Sequence, residues 1–229
     1  MIGNKVEAAR PKVLVLASRK GGVGKSTLCL NLALLAEADG FGPVVLYDTD
    51  PQASVKTWYE QRDAEQPGLI EGGVAQLDAA ISRAGGAGVK LLIVDTPPNV
   101  SAATDSVIRR ADFVVIPTQD GWPDLQAAAS TVDLVEGMGK PFAFALTFIR
   151  GSIQAAEAAT ALSARGPIGA MIGNRLSVKT AWNISKAVVE TEPKGKAAEE
   201  YKALWRFVAP RIGFTHEKAQ KKKGLGLHV

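Results

Sequence analysis

Residues 13–28 read V-L-V-L-A-S-R-K-G-G-V-G-K-S-T-L, and their order decides the fold. An unbroken apolar run passes into a glycine-rich turn, and the turn passes into a helix whose first residues are Lys25, Ser26 and Thr27. Glycines at 21, 22 and 24 let successive backbone N–H groups turn inward around phosphate oxygens with no Cβ in the way. The start of the helix adds unpaired N–H donors and the positive end of the helix dipole. In such a loop Lys25 reaches the β- and γ-phosphates of a nucleotide, and the Ser26 hydroxyl binds Mg²⁺. The spacing departs from G-x-x-x-x-G-K-[ST] in one place. Arg19 stands where the first glycine belongs, and a second lysine, Lys20, opens the loop.

Outward from this loop, β-branched apolar runs alternate with helical stretches, the pattern of βαβ units and a parallel sheet. Strands are predicted at 13–17, 44–47, 91–94, 113–116, 142–148 and 168–172, with a weak extra strand at 69–70. The runs are nearly continuous instead of alternating, so the sheet is expected to be covered on both faces. Helices are predicted at 26–38, closing on Gly40, and at 53–65, 74–83, 102–110, 125–137, 153–164, 178–189 and 197–208. The stretch Gly85-Gly86-Ala87-Gly88 reads as a loop before a strand. The expected fold is α/β, a mostly parallel twisted sheet with helices on both faces. It occupies a single domain over 1–214, followed by a basic flexible tail over 215–229 that cannot pack a core.

Two carboxylate motifs follow later strands. V-V-L-Y-D-T-D-P-Q-A-S at 44–54 carries Asp48 and Asp50, and L-L-I-V-D-T-P-P at 91–98 carries Asp95. A carboxylate at the C-terminal end of a strand points into the crevice where open α/β sheets bind ligands. Taken with these, K-G-G-V-G-K-S-T at 20–27 resembles the deviant Walker A box of the ParA/MinD family of P-loop ATPases. The Asp48 and Asp50 segment is similar to that family's D-x-D-P-Q box, and the Asp95 segment resembles its Walker B. The resemblance extends over about 12–212, with looser matches at I-G-N-R-L-S-V-K-T-A (172–181) and E-P-K-G-K-A-A-E-E-Y-K-A-L (192–204).

The resemblance implies a P-loop NTPase fold, ATP and Mg²⁺ as cofactors, and an ATP-sandwiched homodimer in which Lys20 reaches the partner's nucleotide. It implies nucleotide contacts from Lys20, Gly21, Gly22, Val23, Gly24, Lys25, Ser26 and Thr27, and base contacts from Thr147, where many members have Asn, and Arg175. Ser26, Asp95 and Asp50 are the implied metal ligands. Asp50 would orient and deprotonate the attacking water beside Lys20 and Lys25, and Asp48 would support the Mg²⁺ shell. Hydrolysis needs this placement more than covalent chemistry, because its transition state is loose and stabilised electrostatically.

Composition narrows the partners. A lone cysteine, Cys29, excludes an internal disulfide framework and a multi-cysteine zinc or iron–sulfur site built by one chain, and it reads as core. No apolar run approaches the ~20 residues of a membrane-spanning helix, and the first ten residues lack the apolar stretch of a secretory signal. A cytoplasmic location is expected. Twelve basic against five acidic residues follow position 173, whereas fifteen basic and eighteen acidic residues precede it. Such a surplus attracts a polyanion. The candidate DNA contacts are Lys179, Lys186, Lys194, Lys196, Lys202, Arg206 and Arg211, with Lys221–Lys223 behind them. The tail offers only Leu225, Leu227 and Val229 as apolar anchors, which argues against a membrane-surface helix. Trp58, Trp122, Trp182 and Trp205 are scattered and read as packing residues, and His216 and His228 receive no role.

The function expected from the resemblance is ATP-driven partition of a plasmid or chromosome. The ATP dimer would bind double-stranded DNA without sequence preference, associate with the nucleoid, and be released when a ParB-like adaptor stimulates hydrolysis. The alternative is positioning of a protein cargo, or action at the membrane surface. The chain starts about a dozen residues before the first strand, leaving no room for a helix-turn-helix domain, so operator-specific binding is not expected.

Overall fold

The computed structural model describes residues 10–98 and 102–215. All the predicted strands form: β1 (Lys12–Leu16), β2 (Val44–Asp48), β3 (Gly68–Glu71), β4 (Leu91–Asp95), β5 (Phe113–Thr118), β6 (Phe142–Ile149) and β7 (Ile168–Gly173). They make one seven-stranded sheet in the order β3-β2-β4-β1-β5-β6-β7. Every pairing is parallel. The weak run at 69–70 is thus part of a strand at the edge of the described sheet, paired with β2.

Strand side chains alternate between two cores. Leu14, Leu16, Leu46 and Ile93 face a layer formed by α1 (Lys25–Ala38), α2 (Ser54–Glu60), α7 (Leu176–Asn183), α8 (Val188–Thr191) and α9 (Lys196–Arg211). Val13, Val15, Val94 and Val114 face α3 (Leu77–Gly86), α4 (Ala102–Arg110), α5 (Trp122–Gly137) and α6 (Ser152–Ser163). This two-sided cover is why the strands read as continuous apolar runs. Trp205 of α9 anchors the first layer: it is 1% exposed, and its indole N–H donates to Asp39 at 2.8 Å. Truncating it to Ala would cost about 3–5 kcal/mol.

Register positions the chemistry. Leu16 of β1 is level with Asp95 of β4, and Asp95 is level with Asp48 of β2. The glycine-rich turn after β1 therefore emerges beside both carboxylate motifs, on the C-terminal edge of the sheet.

Several boundaries differ from the expectation. The helix predicted at 178–189 is two helices, because Ser185 adopts φ +53° after Ile184. The Lys186 N–H reaches the Ala181 carbonyl and the Ser185 N–H reaches that of Trp182, a Schellman closure without glycine. The same closure, with Gly40 in the left-handed position, ends α1 as expected. Helix α2 stops at Glu60, short of 65, and Arg62 beyond it turns to pair with Glu190. Gly85 and Gly86 belong to α3 instead of a loop. Helix α5 starts at Trp122, with Pro123 in its first turn, three residues earlier than predicted. Helix α9 runs past 208 to Arg211 with Pro210 inside its last turn. The predicted tail lies outside the described residues from position 216 on, and Lys221–Lys223, His216 and His228 lie there with it.

Candidate functional site

The loop between β1 and α1 is shaped by Gly22 and Gly24, at φ +72° and +87°. Both lie in the left-handed region that glycine adopts without strain. At Gly24 space is short as well, since a Cβ there would stand 3.3 Å from the Phe148 ring. Two neighbouring segments brace the loop. Gln119 Nε2 donates to the Gly22 carbonyl at 3.3 Å, and Pro98 approaches Gly21. The result is a cleft of about 360 Å³ lined by Gly21, Gly22, Gly24, Lys25, Ser26, Thr27, Asp50 and Gln52, with Phe148 and Trp182 at its border.

Lys25 is 6% exposed, and its ammonium reaches the Lys20 carbonyl at 3.5 Å. Burial lowers its pKa, against the opposing pull of Asp95, Asp50 and Cys29. Ser26 Oγ donates to Asp95 Oδ2 at 2.5 Å. Asp95 is 1% exposed, and its other oxygen, Oδ1, is buried without a hydrogen-bond partner. Desolvation raises its pKa to about 7, helped by Asp48 and Asp50 and opposed by the Ser26 hydrogen bond and Lys25. A buried carboxylate with one oxygen orphaned beside a serine hydroxyl suits a cation. Mg²⁺ completes its shell with phosphates and waters, so one carboxylate and one hydroxyl are a sufficient protein contribution. Accordingly, the described residues contain no cluster of three or more carboxylate, histidine or cysteine ligands.

The two aspartates after β2 part company. Asp48 Oδ1 accepts from the Asp50 N–H at 3.0 Å, and Oδ2 accepts from the N–H groups of Val55 and Lys56 at 3.0 and 3.2 Å. Its carboxylate closes the turn and caps α2 in this structure. Burial, the largest influence on it, raises its pKa. Asp50 lines the cleft, and its carboxylate accepts from the Gln52 N–H at 2.9 Å.

Beyond Thr27 the cleft continues into a small cavity of about 30 Å³ lined by Gly24, Thr27, Thr147, Phe148, Asn174, Arg175, Val178, Lys179 and Tyr201. Thr147 and Arg175, expected to contact the base, both line this cavity. The Thr147 hydroxyl is turned to the backbone carbonyls of Val23 and Thr118, at 2.9 and 3.1 Å. Arg175 is tied to Glu200, Nε to Oε2 at 3.0 Å and Nη2 to Oε1 at 2.5 Å, while Glu200 Oε2 also accepts the Gly173 N–H at 3.0 Å. Both residues shape the cavity wall.

Lys20 sits at the mouth of the loop, half-exposed, with Nζ 2.8 Å from Asp124 Oδ1 at the start of α5. Sequence reasoning missed Asp124, Gln119 and Glu200. The one signal for Asp124 was Pro123, which marks a helix start where an acidic residue is favoured. Among the tryptophans, Trp58 and Trp205 pack in the core as expected, but Trp122 is 71% exposed and Trp182 borders the phosphate cleft. Cys29 is core.

The basic candidates divide into two groups. Lys202 donates to the Pro193 carbonyl and pairs with Glu199, Arg206 leans on the same Glu199 at 3.6 Å, and the Arg211 guanidinium stacks 3.5 Å over the Phe207 ring. Lys179, Lys186, Lys194 and Lys196 are exposed and have no ion pair among the described residues.

Comparison with known proteins agrees with this geometry. The model of the "CobQ/CobB/MinD/ParA nucleotide binding domain" family matches residues 14–222. The maintenance of carboxysome distribution protein A of Gloeobacter kilaueensis is 37% identical over 124 residues, 53% of this chain and 56% of that protein. The chromosome-partitioning ATPase Soj of Thermus thermophilus is 28% identical over 157 residues, 56% of this chain and 63% of that protein. The chain thus spans little more than half the length of these curated relatives. In fold, it is similar to the septum site-determining protein MinD of Pyrococcus horikoshii, solved with Mg-ADP. The TM-score is 0.76 at 16% identity, covering 89% of this chain and 98% of that one.

Proposed function

The chain belongs to the CobQ/CobB/MinD/ParA nucleotide-binding family, and on that premise we propose that it is a Mg²⁺-dependent ATPase that positions a cargo. One observation carries the reading. Buried Lys25, the Ser26–Asp95 hydrogen bond and the orphaned Asp95 Oδ1 converge at one end of a cleft that Asp50 also lines. Bound Mg²⁺ would supply charge to offset the phosphates, held by Ser26 and, through Asp95, by the protein. The loop N–H groups and Lys25 would hold the β- and γ-phosphates, and Asp50 would orient the attacking water and take its proton.

Lys20 supports closure as a homodimer on ATP. It stands half-exposed at the mouth of the loop, so a second copy seated on this edge would meet it. The exposed cations Lys179, Lys186, Lys194 and Lys196 support non-specific binding to double-stranded DNA, and closure would double their number on one particle. Hydrolysis stimulated by an adaptor would then release the DNA. Of the two kinds of cargo, a protein assembly is favoured over a replicon, because the relative at 37% identity distributes carboxysomes and the chromosome-partitioning one stands at 28%. Among the described residues no helix is long and apolar enough to cross a membrane.

The test is co-sedimentation with duplex DNA and with liposomes, each with ATP, ADP and no nucleotide, alongside phosphate release. ATP-dependent retention on DNA is expected. Retention on liposomes alone, or no phosphate release with Mg-ATP, would contradict the reading.

A further inference from the structure

The small cavity beyond Thr27 shares a wall with a much larger groove. This groove, about 580 Å³, is open to solvent and lined by Ile149, Arg150, Ala155, Met171, Lys196 and Glu200, among others. Gly173, Asn174 and Arg175 border both spaces. The wall is held from behind by one carboxylate, Glu200, which grips the Gly173 N–H and the Arg175 guanidinium together.

The groove is positively charged. Arg150 follows β6 and Lys196 opens α9; both are exposed, and neither has an ion pair among the described residues. Arg175 adds a third cation, and Glu200 is the one carboxylate among the described residues lining the groove. The first turns of α6 and α9 also adjoin it, and the residues before them, Gly151 and Gly195, bring no side chain to the helix starts. The positive end of each helix dipole favours anions. The charge continues past the groove to Lys194, also exposed and without an ion pair among the described residues. A run of cations suits a chain of phosphates better than a single small anion.

We propose that this groove seats the phosphodiester backbone of duplex DNA against Arg150 and Lys196, and that Glu200 positions the wall it shares with the nucleotide cavity. The inference rests on the DNA-binding reading above and extends it to Arg150, which sequence reasoning did not single out.

The experiment is fluorescence anisotropy of a labelled short duplex across a salt series, using the full chain with Mg-ATP. Affinity for a fluorescent ATP analogue and the melting temperature are measured in parallel. Arg150→Glu and Lys196→Glu are each expected to weaken DNA binding about tenfold and to flatten the slope of log K against log salt by about one to two. Arg150→Glu should leave affinity for the ATP analogue unchanged. Glu200→Gln frees Arg175 and removes a negative charge from the groove. It should tighten DNA binding and weaken nucleotide binding, each by about fivefold, whereas a purely structural defect would weaken both.

Wild-type protein that binds no duplex in any nucleotide state would overturn the DNA reading and the groove together. Wild-type binding that survives Arg150→Glu and Lys196→Glu but not Lys179→Glu or Lys186→Glu would overturn the groove alone. Glu200→Gln with unaltered nucleotide affinity would overturn the shared wall. Displacement of the duplex by poly-glutamate at equal charge would reassign the groove to an acidic protein segment.

Discussion

Lys20 Nζ lies 2.8 Å from Asp124 Oδ1 of its own chain, so the lysine with which the loop opens is docked in cis. Asp124 is 6% exposed, and the β5–α5 connection just before its helix is joined to the loop through Gln119 and Gly22. To reach the nucleotide of a second copy, Lys20 would have to leave this carboxylate, so the cis pair would compete with the proposed trans contact. Lys20→Ala is expected to retain ATP binding and lose both ATP-driven dimerisation and hydrolysis. Asp124→Asn keeps the side-chain shape and removes the competitor. It should lower the ATP concentration for half-maximal dimerisation by up to about fivefold, the scale of a partly exposed pair. Size-exclusion chromatography with light scattering across an ATP series reads both. A Lys20→Ala protein that dimerises like wild type would refute the trans role.

Asp48 and Asp50 are two residues apart and should fail in different ways. Asp48 accepts three backbone N–H groups around the start of α2, and Asp50 accepts one and lines the cleft. Asp48→Ala removes a helix cap and is expected to cost about 1–2 kcal/mol of stability. Asp50→Ala should leave the melting temperature and Mg-ATP affinity near wild type while slowing hydrolysis at least about a hundredfold, so that the ATP dimer persists. The measurements are thermal melts and single-turnover phosphate release. Wild-type turnover in Asp50→Ala would move the water-orienting role elsewhere.

The layout of the site was legible because it is local. The strand, the glycine-rich turn and the helix follow one another within 13–28, and register brings Asp48 and Asp95 level with the end of β1 without any further information. Details that depend on distant partners were not legible. Arg175 is held by Glu200, twenty-five residues on, and Thr147 by carbonyls from two other segments. Nothing in their own neighbourhoods records those contacts. The cap that Asp48 gives α2 was not legible for a related reason: a carboxylate at a strand end can face a ligand or cap the next helix, and the backbone path to Val55 and Lys56 is not written in its neighbourhood. Ser185 closes α7 in a conformation normally marked by glycine, so a continuous helix was the natural reading of 178–189.

Lys25 tests the phosphate loop directly. Its ammonium is buried within the loop, near Asp95 and Asp50 but in no ion pair among the described residues. A desolvated cation of this kind costs free energy in the empty protein and regains it on meeting phosphate. Lys25→Ala is therefore expected to abolish hydrolysis and to weaken ATP binding by about a hundredfold or more, the scale of a charge-assisted contact. Its melting temperature without nucleotide should hold or rise. Unchanged ATP affinity in an isothermal titration would sink the assignment of the loop.

Asp95 supplies a pH dependence with a definite sign. Its pKa in the folded protein is raised to about 7, chiefly by desolvation, whereas an unfolded aspartate titrates near 3.8. Between those values the folded state holds a proton that the unfolded state has released. The contribution of this group to stability is therefore fully present below the unfolded pKa and is lost as pH rises through the folded one. In EDTA and without nucleotide, wild-type melting temperature should fall from pH 5 to about 7 relative to Asp95→Asn, which has no proton to lose, and then run parallel to it. Ligand binding should show the opposite trend, because a cation at Asp95 needs the ionised form. Mg-ATP affinity of the wild type should climb over the same interval and level off above about pH 7, while that of Asp95→Asn stays low and flat. The two curves come from thermal melts and titration calorimetry in matched buffers. A wild-type melting curve that runs parallel to that of Asp95→Asn from pH 5 upward would mean that Asp95 is already ionised in the empty site.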